Sequence, residues 1–355
     1  MRWSIPLAHP GLGGIAATDK YVLFGDRDVD DFQDVYRCLD AETGDTIWEI
    51  QRLGIAALDY GNSPRATPVI TCEDVYFRGA HGHLLCVALK DGQVAWERNL
   101  RDEFPLNAEL PWGYCGTPLL IDDDTLVLAA GAQDASLIAL DAKTGDIKWK
   151  SAGGLPGYGS FNIGTLGSVR QIVGHDAKSI GGWDVNSGKR LWTIVPAAGG
   201  DFNVPTPIIW NDQLIVVTEN NGCRLFRFNG DGKAIEQPAA VYSKLRSDMC
   251  TPVVVGDNLF CVKDFLYCLD LSDGLKQRWR LRDKSLGTYA SLFASEDRLL
   301  VVGKGELLLF SADGDQSVLS RQRVFEDSST LYSHPAIVGN RLYLRGEGEL
   351  VCLEL

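Results

Sequence analysis

The chain has 355 residues, 45% of them apolar and nine of them tryptophan, with a net charge of −13. No stretch gathers Lys and Arg into a cationic face, so nucleic acid finds no counter-charge and an anionic membrane surface repels the chain. No run approaches the ~18 apolar residues of a membrane span, which leaves a large globular core as the use for this material.

In chain order, Met1-Arg2-Trp3-Ser4-Ile5 reads as a single strand carrying a tryptophan. Residues 13–50 hold short apolar runs and include LDAETGDTIW at 39–48. Between the second and third runs lies an acidic segment, Asp26 to Asp34, with further carboxylates at Asp28, Asp30 and Asp31. It reads as a hairpin extension, either a solvated turn or a hard-cation site, though it lacks the Gly and distal Glu of an EF-hand loop. Residues 64–100 repeat the pattern with VALKDGQVAW at 87–96, 115–151 with LDAKTGDIKW at 140–149, and 158–194 with WDVNSGKRLW at 183–192. Residues 203–243 contain FNGDGKAIE at 228–236, which keeps the glycine turn and lacks the ring. Residues 248–281 regain it at Trp279, and 288–325 lose it again in FSADGDQSV at 310–318. Residues 331–355 supply three runs and stop before a tryptophan strand.

The spacing decides the architecture. Trp3, Trp48, Trp96, Trp149, Trp192 and Trp279 are separated by 45, 48, 53, 43 and 87 residues, the last gap being two periods. Self-similarity at ~40–50 residues marks propeller blades. The expected fold is all-β: an eight-bladed β-propeller of four-stranded antiparallel blades, one domain over 1–355. Residues 1–7 complete the blade begun at 331–355, so that no sheet edge is left open. Gly44, Gly92, Gly145 and Gly188 each precede a tryptophan by four residues, where a tight turn reverses the chain.

ALDAKTGDIKW at 139–149 resembles the tryptophan-docking repeat of quinoprotein-type β-propellers, the family of pyrroloquinoline quinone (PQQ)-dependent alcohol dehydrogenases and of the BamB outer-membrane assembly lipoproteins. The resemblance covers essentially the whole chain, which is BamB-like in size. It implies that Trp3, Trp48, Trp96, Trp149, Trp192 and Trp279 pack on the glycine turns of neighbouring repeats and take no part in chemistry. It also implies a choice of function: a non-catalytic scaffold taking a protein segment or small ligand at its funnel face, or a PQQ and calcium oxidoreductase. Family enzymes carry two adjacent cysteines and long insertions; this chain has neither, so no cofactor is expected and PQQ with calcium is the alternative. It also departs from BamB in having no lipobox-like Cys near the start. The chain is expected in the cytoplasm if Met1 is the natural start, and periplasmic or exported if a leader was removed; a monomer is expected.

Nine cysteines are present, and Cys38, Cys86, Cys268 and Cys352 share the repeat position that Ala139 takes elsewhere, a small packing site of reduced thiols. Cys115 and Cys250 precede inner strands and read as either buried or reactive. His81-Gly82-His83 reads as a hairpin turn; no third ligand is identifiable, and no metal site is expected.

Long connections between blades, at 51–64, 101–115 and 195–203, rim the predicted channel. They and the positions before each inner strand give the candidate contact residues: Tyr60, Arg65, Phe104, Trp112, Tyr114, Tyr158, Phe202, Asp248, Tyr289, Tyr332 and His334. Two readings fit this set, an exposed recognition ring or aromatics packed beneath the loops. The enzyme alternative, a cofactor-dependent oxidoreductase or a hydrolase or lyase with its site at the channel mouth, uses Asp248, His334 and the tyrosines.

Overall fold

The computed structural model describes residues 1–55, 57–326 and 331–355. Apolar runs broken every few residues by Asx, Gly or acidic turns cannot sustain a helix; they pair as four-stranded antiparallel sheets, eight among the described residues. The fold is an eight-bladed β-propeller, as the repeat spacing predicts. The chain divides into two compact units, Met1–Leu155 with Tyr332–Leu355, and Pro156–Leu331.

In the first unit, blade 1 runs Ala16–Ala17, Tyr21–Arg27, Gln33–Asp40, Thr46–Leu53. Blade 2 runs Val69–Ile70, Asp74–Arg78, His83–Ala88, Val94–Asn99. Blade 3 runs Leu119–Ile121, Thr125–Ala129, Leu137–Asp141, Ile147–Ser151. Blade 8 takes Ala336–Val338, Arg341–Arg345 and Glu349–Glu354 from one end of the chain and Trp3–Pro6 from the other. Trp3 stands opposite Cys352 and Pro6 opposite Glu349, so the first strand covers an edge that would otherwise recruit a foreign strand.

The second unit holds blade 4 (Asn162–Leu166, Val169–His175, Ile180–Asp184, Arg190–Ile194) and blade 5 (Ile208–Trp210, Gln213–Thr218, Gly222–Phe226, Ala240–Tyr242). Blade 6 follows (Val253–Val255, Asn258–Lys263, Phe265–Asp270, Lys276–Leu281), then blade 7 (Ser291–Ala294, Arg298–Val302, Glu306–Ser311, Val318–Arg323).

The repeat motif does its packing between blades. Trp3 Nε1 donates to Ala41 O at 3.2 Å, Trp48 to Leu89 O at 3.0 Å, and Trp96 to Ala142 O at 2.9 Å. Each ring covers the next turn's glycine so closely that a Cβ on Gly44, Gly92 or Gly145 would stand 2.8 Å from a ring carbon. Those three glycines also have positive φ, so the turn and the ring exclude a side chain independently. Within each blade the tryptophan faces a small residue: Cys352, Cys38, Cys86, Ala139, Gly182 and Cys268 stand opposite Trp3, Trp48, Trp96, Trp149, Trp192 and Trp279. In blade 7 the sizes are exchanged, with Ser320 opposite Leu309.

Blade 4 docks differently. Trp192 Nε1 donates to Gln171 Oε1 at 2.5 Å, and Gln171 Nε2 donates to Gly232 O at 2.9 Å, so a buried amide relays the tryptophan to the turn of blade 5. Gly188 turns the chain with a φ of +67°. Among the described residues one helical turn appears, Leu100–Glu103, which the strand pattern did not predict. Asn99 caps it, its Oδ1 accepting from Arg101 N, and Leu100 is buried beneath it.

Candidate functional site

The hairpin after Tyr21–Arg27 carries the acidic segment, and only its tip is solvated. Asp26 and Asp34 are fully buried, a correction to the solvated-turn expectation, because arginines meet them, Arg345 from the far end of the chain at Asp26 and Arg27 from the same hairpin at Asp34. Asp26 Oδ1 accepts from Arg345 Nη2 at 2.7 Å, and Arg37 approaches its other oxygen at 3.5 Å. Asp34 Oδ1 accepts from Arg27 Nη1 at 2.8 Å. Burial pushes the Asp34 carboxyl up to about 6, opposed by the Arg27 guanidinium. Guanidinium groups thus occupy the positions around these carboxylates that a hard cation would take.

Arg27 is the staple of this region. It also donates from Nε to Asp31 Oδ1 at 2.7 Å, from Nη2 to Asp31 O, and from Nη2 to Gly54 O at 2.8 Å. One buried side chain therefore ties the hairpin tip to the connection leaving blade 1. Asn62 Nδ2 adds a bond to Asp31 Oδ2 at 2.6 Å, and Gly54 N donates to Phe32 O at 2.9 Å.

Above this network lies a patch that sequence reasoning missed. Val29, Phe32, Leu53, Ile55 and Tyr60 are between 59% and 77% exposed. Phe32 stands opposite Gly54, with Leu53 and Ile55 on either side of that glycine, so these exposed residues are gathered where the hairpin and the connection meet. The signal was available, since four large apolar residues in segments already read as connections have no core to enter. Tyr60 packs edge-on against Trp112 with ring centroids 6.1 Å apart, and Asp59 N donates to Pro111 O, joining this connection to the next. Arg65 donates to Asp59 O and Gly61 O, fixing the turn that carries Tyr60.

The other rim candidates separate into exposed and packed groups. Phe104 and Tyr114 belong to the core between blades 2 and 3. They are corrected from contact residues to packing residues, because Tyr114 donates to Ala130 O at 3.1 Å and lies under the Arg78 guanidinium. Tyr332 and His334 are exposed. His81 is buried and its imidazole is lowered to about 4, chiefly by desolvation, while His83 bonds Leu53 O at 2.8 Å; the pair forms a turn around Gly82. Burial pushes the Cys115 thiol up to about 11, the opposite of a reactive thiolate.

In the second unit, Phe202 is exposed and its N–H donates to Glu219 Oε1. Tyr158 is half-buried. Tyr289 is corrected to a buried packing residue, within hydrogen-bond distance of Ser291 Oγ at 3.0 Å. Asp248 accepts from Lys263 Nζ through both oxygens at 3.0 Å, a neutralised pair. Cys250 is buried. Among the described residues no three His, Cys, Asp or Glu side chains are grouped so that they could hold a metal ion.

A family model described as outer membrane protein assembly factor BamB matches residues 1–110 and 105–280. The chain belongs to the BamB family. BamB from Shewanella oneidensis is 24% identical over 347 aligned residues, covering 89% of this chain and 79% of that protein. The crystal structure of BamB from Moraxella catarrhalis is similar with a TM-score of 0.67 at 16% identity, over 99% of this chain and 98% of that one. Sqt1 from Chaetomium thermophilum, solved bound to the N-terminus of ribosomal protein L10, gives 0.72 at 13% identity over 98% of each chain. A quinohemoprotein alcohol dehydrogenase from Comamonas testosteroni gives 0.66 at 12%, over 99% of this chain and 75% of that enzyme. At these identities the solved structures share the BamB fold without fixing an activity. No helix among the described residues is long and apolar enough to cross a membrane.

Proposed function

We propose that this chain is a non-catalytic BamB-type scaffold that holds a segment of a partner protein on the blade 1 loops. The observation that carries the reading is the exposed group Val29, Phe32, Leu53, Ile55 and Tyr60 set on a framework fixed by Arg27. Large exposed apolar side chains gathered on hydrogen-bonded loops mark an interaction site, and loops already fixed lose little order on docking. The relatives' name, an assembly factor for outer membrane proteins, supports a protein partner and the exported branch of the localisation.

Affinity capture with the native chain and with a Phe32→Ser/Ile55→Ser variant tests this. A partner retained by the native chain and lost by the variant is expected, with unchanged thermal midpoints. Equal capture by both chains overturns the site. The oxidoreductase alternative is checked by titration with PQQ and calcium: saturable absorbance changes with dye reduction would overturn the non-catalytic reading.

A further inference from the structure

The blade 1 patch is bordered by carboxylates. Asp28 and Asp30 flank Val29 at the hairpin tip, and Asp59 precedes Tyr60. Asp102 and Glu109 stand in the neighbouring connection, which Asp59 and Tyr60 join through Pro111 and Trp112. Asp30, Asp59, Asp102 and Glu109 are exposed. Asp28 stays ionised, its Oδ1 accepting from the N–H groups of Gln33 and Phe32. Three of the nearby cations are engaged: Arg27 lies buried with Asp31 and Asp34, Arg52 pairs with Glu97, and Arg65 points to backbone carbonyls. Arg101 is exposed beyond Gly82, beside Asp102.

Resting on the scaffold reading above, we infer that the bound segment is an apolar run flanked by Lys or Arg. Its apolar side chains cover Phe32, Leu53 and Ile55, and its cations meet Asp28 and Asp30 on one side and Asp59 on the other, where the Tyr60 ring offers a face to a cation. A neutral segment gains the same apolar burial but leaves carboxylates desolvated without partners, so charge sets the choice among apolar segments. A second copy of this chain brings −13 of its own, and an anionic membrane repels the same carboxylates.

The test uses the full chain and fluorescein-labelled peptides sharing one Leu/Phe run, flanked by Lys, Ser or Glu, read by anisotropy at low and raised salt. The Lys-flanked peptide is expected to bind saturably and to weaken steeply with salt. Its affinity is expected to fall about tenfold in an Asp28→Asn/Asp30→Asn/Asp59→Asn variant, and to be lost in Phe32→Ser/Ile55→Ser. Thermal midpoints equal to the native chain's establish that both variants fold. Equal binding of the Ser-flanked peptide, still lost in Phe32→Ser/Ile55→Ser, overturns the charge inference and leaves the scaffold reading standing. Binding of no peptide, or binding indifferent to Phe32 and Ile55, overturns both. So does a sedimenting dimer, or adhesion to phosphatidylglycerol vesicles, that Phe32→Ser/Ile55→Ser abolishes.

Discussion

Arg27 carries a full charge into a site that water scarcely reaches, and it is tolerated because two carboxylate oxygens and two backbone carbonyls receive it. Removing one member strands the other. Arg27→Met should cost about 3–5 kcal/mol in urea unfolding, and Arg27→Met/Asp34→Leu should cost less than the single change, since no buried charge is left unpaired. A double variant as unstable as the single one would refute this account. His175 gives the pH dependence. Its imidazole, ordinarily near 6.5, is lowered to about 4, mainly by desolvation, with Arg224 adding to the effect. Between those values the unfolded chain binds a proton that the folded chain refuses, so stability present above pH ~6.5 is lost as pH falls towards 4. The loss is about 3 kcal/mol for this group. His175→Gln should flatten the decline in unfolding free energy from pH 7 to pH 4, measured by urea titration, by about that amount.

At the scale of the element, the tryptophan turn was legible in sequence because in blades 1 to 4 the ring, the glycine before it and the small residue opposite lie within ten positions of one another. What was not legible is the relay in blade 4. Gln171 lies on the second strand, opposite Asp184, and becomes a docking residue only when the neighbouring turn brings Gly232 O to it. Replacing Gln171 by Leu strips both the Trp192 N–H and the Gly232 carbonyl of a buried partner. It should destabilise by about 2–4 kcal/mol, whereas Trp48→Phe, which loses the single bond to Leu89 O, should stay near 1–2 kcal/mol. Urea midpoints for the two variants check the ranking, and a larger effect from Trp48→Phe would contradict it. The helical turn at Leu100–Glu103 was also missed, because four residues are too few to show a helical period.

For the whole molecule, the pairing of Trp3–Pro6 with Glu349–Glu354 links residues more than three hundred positions apart. Deleting residues 1–6 should lower the thermal midpoint and produce concentration-dependent light scattering, since the Glu349–Glu354 edge would then be open to foreign strands. A truncated chain that stays clear and melts at the native temperature would show the closure to be dispensable. This pairing could be foreseen because the missing tryptophan strand at one end and the spare one at the other are both visible in the periodic count.

The eight-fold repeat, the turn chemistry and the closing strand were determined by sequence, because the turns follow from local pattern and the closure from a repeat count that leaves one strand missing at one end and one spare at the other. Which candidate aromatics reach solvent was decided only in three dimensions: Tyr60 and Phe202 stand out, while Phe104, Tyr114 and Tyr289 are packed. The acidic segment makes the same point more sharply. Asp26 reads as solvated until Arg345, 319 residues away, is brought against it. Burial and charge pairing depend on partners that the fold supplies from remote segments, and local pattern holds no record of them.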